Sequence, residues 1–186
     1  DALPQAWSHF SFNEAQGLTT AEDLAGGIPA GGTLVNGTAT RRPMDSEASP
    51  TGFHFDGIND AVTLPLGSLD FIQISGVFSY EYYISDWDGT QAIPVGMHDF
   101  GGPGSWASDI LVSGSLRTLI NGTGMTSLLP IIANAVAPQH VVITGDGSTL
   151  TVYIDGSACG TGTFTAGAAG VVVPKIGTSS TSGSYP

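Results

Sequence analysis

The chain has one cysteine, Cys159, so an internal disulfide is excluded. It is also poor in positive charge. Four Lys/Arg stand against sixteen Asp/Glu, for a net charge of −12 at pH 7. Such a surface repels phosphate backbones and anionic lipid, which argues against nucleic acid as a partner and against membrane association. No apolar run is long enough to cross a membrane. No long stretch carries the 3.6-residue apolar period of an amphipathic helix. A Gly-x-Ser-x-Gly elbow, a phosphate loop and a paired-histidine metal motif are all missing. Divalent cations are the one ligand class that the charge balance favours. Scattered surface carboxylates also serve simply to keep a protein soluble.

What is present points to strands and turns. The 186 residues suffice for one domain with a core, and 41% of them are hydrophobic. Glycine is abundant, at 27 residues. Asn-Gly occurs at Asn36 and Asn121, and Asp-Gly at Asp56, Asp88, Asp146 and Asp155. These dipeptides favour the positive-φ turns that join antiparallel strands. In "VFSYEYYIS", Phe78, Tyr80 and Tyr82 alternate with Ser79, Glu81 and Tyr83. "DILVSGSLRTLING" reads as two short strands around Ser113–Gly114. "HVVITGDGSTLTVYIDG" predicts a hairpin pairing Val141–Thr144 with Leu150–Ile154, with Val141, Ile143, Leu150, Val152 and Ile154 facing inward. Two stretches are not strand-like. Residues 13–33 read as a loop with one helical turn near Thr20–Leu24, and residues 38–50 as an exposed loop. Asn36-Gly37-Thr38 and Asn121-Gly122-Thr123 match the glycosylation sequon, but hairpin turns generate the same string and are the preferred reading.

Four motifs, in order along nearly the whole chain, carry a family resemblance. They are "WSHFSFNEAQGLTTAEDLAGG…GTLVNGTA", "FHFDGINDAVTLP", "QHVVITGDGSTLTVYIDGSACGTGTF" and "PKIGTSS". The sequence resembles laminin G-like domains of the concanavalin A-like lectin/glucanase superfamily. That resemblance implies an all-β, two-sheet antiparallel jelly-roll sandwich, a single domain over 1–186. It departs from the family pattern in two places. Pro138 stands where a Trp often precedes the hairpin, and the closing strand is missing after Pro186. The expectation is therefore a longer intact chain, a neighbouring copy or other structural subunit pairing with the exposed opening strand "WSHFSF", or a rearranged sheet. The resemblance also implies a Ca²⁺ site on the rim of the sandwich, near Glu14, Gly17, Asn59 and Asp60. The competing reading makes Asn59 and Asp60 an Asx-type turn.

The superfamily includes lectins, adhesion modules, virion proteins and polysaccharide-cleaving enzymes, so fold does not give function. The carboxylate pattern of its glucanases has one near match, Asp86-Trp87-Asp88, but Asp88 precedes Gly89 and closes a turn, and the third carboxylate is absent. Gln139-His140 is similar to part of the alginate lyase site, without the Tyr-Lys-Gly motif that accompanies it. No catalytic residue is therefore assigned. For sugar binding the candidates are Trp87 and Trp106, with Asp86 and His98 as polar neighbours, because an exposed ring stacks on a pyranose. Both sit among turn residues, and the preferred reading has them cover the sandwich edge. The expected function is a non-enzymatic structural or attachment module of an extracellular assembly or virion surface. A secreted carbohydrate-binding module is the alternative, with a polysaccharide-cleaving enzyme behind both.

Overall fold

The structure is a computed structural model that describes residues 20–21, 24–25, 31–35, 40–43, 51–54, 61–84, 92–97, 106–110, 113–121, 123–132, 135, 137–167 and 173–177. Its elements in chain order are β1 (Thr20–Ala21), β2 (Gly32–Val35), β3 (Thr40–Pro43), β4 (Thr51–His54), β5 (Ala61–Thr63), α1 (Asp70–Ile74), β6 (Val77–Ile84), β7 (Ala92–Met97), β8 (Trp106–Ile110), β9 (Ser115–Ile120), β10 (Thr123–Pro130), β11 (Gln139–Asp146), β12 (Thr149–Ile154), β13 (Ser157–Thr163) and β14 (Lys175–Ile176). Among the described residues, eight strands pair in the order β1-β2-β5-β14-β7-β8-β9-β10, four in the order β13-β12-β11-β6, and β3 with β4. Each of these pairings is antiparallel.

The two larger sheets face each other across one apolar core. Period-two alternation supplies it: Val141, Ile143, Leu150, Val152 and Ile154 come from the four-stranded sheet, and Trp106, Ile110, Leu116 and Ile120 from the eight-stranded one. Fully burying one such aliphatic side chain stabilises by about 1.5–3 kcal/mol. The fold is an antiparallel β-sandwich, as the turn spacing and the alternation predict. The hairpin forms in the expected register, with Val141 opposite Ile154 and Thr144 opposite Thr151.

Polar groups also cross the core. The Tyr80 and Tyr82 hydroxyls on β6 donate to Ser108 Oγ on β8 at 3.3 and 3.5 Å. Ser108 Oγ in turn lies 3.4 Å from Thr118 Oγ1 on β9. Ser108 and Thr118 are fully buried, so these bonds replace lost hydration.

Some sequence expectations are overturned. Thr20 and Ala21 do not form a helical turn; they pair with Thr33 and Gly32. Residues 40–43, expected within the exposed loop 38–50, instead pair with 51–54 in a two-stranded ladder from Thr40–His54 to Pro43–Thr51. In both places backbone pairing with the next strand overrides weak local propensity. The opening strand "WSHFSF" lies outside the described residues.

Two glycines let β6 enter the sheet. Gly76 has φ +65°, and a Cβ there would lie 2.7 Å from the Phe164 ring. A Cβ at Gly145, which pairs with Phe78, would lie 2.5 Å from the Gly76 carbonyl oxygen. At the β11–β12 turn, Asp146 Oδ1 accepts from the N–H groups of Ser148 and Thr149 at 3.0 and 2.8 Å. These bonds, with Thr149 N–H the larger influence, hold the Asp146 carboxyl below its ordinary range.

Two outcomes are expected. Val152→Asp places an unpaired charge at a site that is 0% exposed, and should cost about 3–5 kcal/mol in urea denaturation or abolish soluble protein. A soluble, fully stable variant would contradict the register. Because the folded Asp146 carboxyl is depressed, its contribution is complete above the unfolded value of about 3.9 and is lost as pH falls through the lower folded value. The gap in urea midpoint between wild type and Asp146→Ala should therefore be constant near neutrality and close in acid. A gap that persists in strong acid would contradict this.

Candidate functional site

The alternation that buries Phe78 leaves a second set of side chains on the outer face of the four-stranded sheet. On β6 these are Ser79, Glu81 and Tyr83, all exposed. β11 contributes His140, Val142 and Thr144, and β12 contributes Thr151 and Tyr153, all half-buried. Pairing fixes their neighbours. His140 stands opposite Tyr83, Val142 opposite Glu81, and Thr144 opposite Ser79. On the other side of β11, Val142 stands opposite Tyr153 and Thr144 opposite Thr151.

One corner of this face holds an aromatic and ionic cluster. The Tyr83 and His140 rings stack with centroids 4.4 Å apart and planes within 10°. His140 Nε2 is 2.9 Å from Glu81 Oε2. The backbone beneath is pinned as well: His140 N–H donates to Asp155 Oδ1 at 2.8 Å, and Asp155 N–H donates to the His140 carbonyl at 2.8 Å. Tyr83 is 58% exposed, so this ordered ring still faces water. The next row offers the Ser79, Thr144 and Thr151 hydroxyls, which both donate and accept. An aromatic corner beside a band of hydroxyls can stack on an apolar ring face and hydrogen-bond the hydroxyls around it.

Of the residues proposed from the sequence for sugar contact, the structure describes Trp106. It is not a loop residue. It begins β8, is 2% exposed, and packs against Tyr80 with ring centroids 5.3 Å apart. Its indole Nε1 is buried without a hydrogen-bond partner among the described residues. Trp106 therefore presents no face to a sugar, and its burial in the core corrects the stacking assignment. Trp87, Asp86 and His98 lie outside the described residues, as do the calcium candidates Glu14, Gly17, Asn59 and Asp60. Among the described residues, no group of three or more His, Cys, Asp or Glu is arranged to hold a metal.

Gln139 and His140 point to opposite faces, as adjacent residues of a strand must. Gln139 is 6% exposed, and its Oε1 accepts from Ile132 N–H at 2.5 Å. The two side chains do not converge on one substrate. Asn121 sits at positive φ in the β9–β10 turn, and its Nδ2 donates to the Thr165 carbonyl at 2.8 Å, which fits the hairpin reading of that sequon. Cys159 is buried, which pushes its thiol up and away from nucleophilic use.

The sequence placed Glu81 and Tyr83 on one face but did not connect them to His140, 59 residues beyond Glu81. The missing signal was the pairing of β6 with β11. Two substitutions should separate the buried ring from the exposed one. Trp106→Ala should cost about 3–5 kcal/mol in denaturation, and Tyr83→Ala about 0.2–1 kcal/mol. Equal costs would contradict the assignment.

No protein-family model matches the chain, and no curated protein matches it by sequence. Solved structures do resemble it. Domain 4 of AbnA, a GH43 extracellular arabinanase from Geobacillus stearothermophilus, in complex with arabinotriose, aligns with a TM-score of 0.58 at 16% identity, covering 87% of this chain and 80% of that one. Trypanosoma rangeli sialidase in complex with sialic acid aligns with a TM-score of 0.55 at 19% identity, covering 92% of this chain and 27% of the sialidase. At these identities the likeness is one of fold, and the fold shared is the antiparallel β-sandwich traced above.

Proposed function

We propose that this chain is a non-catalytic, laminin G-like attachment module that works outside the cell and binds carbohydrate through the outer face of its four-stranded sheet. The observation that carries the reading is the Tyr83–His140 stack with Glu81 on His140, beside the hydroxyls of Ser79, Thr144 and Thr151. The ring is already ordered, so stacking a sugar on it costs little conformational entropy. Support also comes from domain 4 of AbnA, a β-sandwich of the same fold whose complex contains arabinotriose. Glycoside cleavage calls for two carboxylates flanking the bond. Glu81 is paired with the His140 imidazole, and Asp155 with the His140 N–H, which favours binding over catalysis.

A second reading keeps the chain as a structural subunit that joins copies edge to edge. It is favoured by β6, whose eight residues end the four-stranded sheet among the described residues and include no proline to block strand addition.

A glycan array followed by titration calorimetry tests the first reading. Wild type should retain a defined set of glycans. Tyr83→Ala should bind them about five- to tenfold more weakly, with nearly unchanged melting. No retained glycan, or unchanged binding by Tyr83→Ala, would overturn it.

A further inference from the structure

The four basic residues of the chain are Arg41, Arg42, Arg117 and Lys175. Arg41 and Arg42 lie on β3, Arg117 on β9 and Lys175 on β14. None belongs to β6, β11, β12 or β13, the strands of the sheet that carries the stack. Recognition of a carboxylated ligand in water normally relies on Arg or Lys, most effectively on the planar guanidinium fork. At this corner the one candidate cation among the described residues is His140, and its Nε2 is already held by Glu81 at 2.9 Å. The other charges nearby among the described residues are negative: Glu81, whose side chain is 64% exposed, and Asp155, bonded to the His140 backbone. The net charge of −12 adds a long-range field of the same sign.

We infer that the outer face takes uncharged glycans and discriminates against carboxylated ones such as uronates and sialates. The inference rests on the carbohydrate-binding reading and deepens it. Neutral sugars need what the face supplies: an exposed ring to stack on, hydroxyls that donate and accept, and a carboxylate that accepts from sugar hydroxyls. A carboxylated sugar seated on Tyr83 instead meets Glu81 with no Arg or Lys on this sheet to offset it. Two like charges about 4 Å apart in water repel by about 1 kcal/mol, or about fivefold in affinity. Salt screens that repulsion, since both groups are exposed.

The experiment uses matched probes on the full chain: neutral oligosaccharides of glucose, galactose and mannose, and the same chains oxidised at C6 to uronates. Calorimetry at low and high salt reads the affinity ratio within each pair. The neutral member should bind about fivefold more tightly at low salt, and the ratio should shrink at high salt. Glu81→Gln should shrink it at low salt, whatever that variant does to absolute affinity. Uronates bound equally or more tightly by wild type would overturn the discrimination and leave carbohydrate binding standing. A ratio unmoved by salt and by Glu81→Gln would also overturn it. Binding of neither member would overturn both the discrimination and the reading beneath it.

Discussion

The register of β6 on β11 governs both the interior and the exterior of this sandwich. Because the strand repeat is two residues, a slip of one position would turn the whole of β6 over. Phe78, Tyr80 and Tyr82 would face water, and Glu81 would be driven into a core where an unpaired carboxylate costs several kcal/mol. The observed pairing, from Gln139–Ile84 to Asp146–Val77, avoids this along its entire length. It also aligns Tyr83 with His140. The exposed cluster is thus a by-product of the constraint that builds the core, and the stability of one holds the geometry of the other.

That constraint is reinforced from the opposite sheet. Tyr80 touches Trp106, stacks with Phe78 at 5.8 Å, and donates its hydroxyl to Ser108. Apolar packing alone is non-directional; these hydroxyl bonds are directional, and they select one alignment of β6 over β8. Ser108 Oγ can donate one hydrogen and accept two, and the geometry fits acceptance from Tyr80 and Tyr82 with donation to Thr118. Trp106 contributes area instead, at the cost of a buried indole N–H without a partner among the described residues. Its place in the core follows from that balance, since burying so large a ring outweighs one unmade bond.

How much of this could be read from the residues depends on how local the determining contact is. The β11–β12 hairpin was legible because its turn, Asp146-Gly147-Ser148, and its alternation lie within one short window. The two faces of β6 were legible for the same reason. Thr20–Ala21 was not, because two residues carry no period and become a strand only through Thr33 and Gly32. Nor was Thr40–Pro43, where Pro43 argued against a strand and the partner lies beyond "MDSEAS". Trp106 misled because "GGPGSW" reads as loop up to the residue where β8 begins. The Tyr83–His140 stack was out of reach in principle: each ring sits in a legible strand, but adjacency of those strands is a property of the whole sheet.

The location of the cluster on a sheet rather than a loop has a physical consequence. A loop tryptophan must be ordered before it can stack, and that entropy is subtracted from affinity. Tyr83 is held beforehand by His140, which is itself held by Glu81 and, through its backbone, by Asp155. Such preorganisation allows few contacts to suffice, which suits a shallow open face. The same openness limits strength, because a ligand on a flat sheet keeps much of its surface in water and its electrostatics stay screened. On the proposed carbohydrate-binding reading, affinity from a single face of this kind is modest, and it gains most from several copies acting together, where each further contact becomes an intramolecular event.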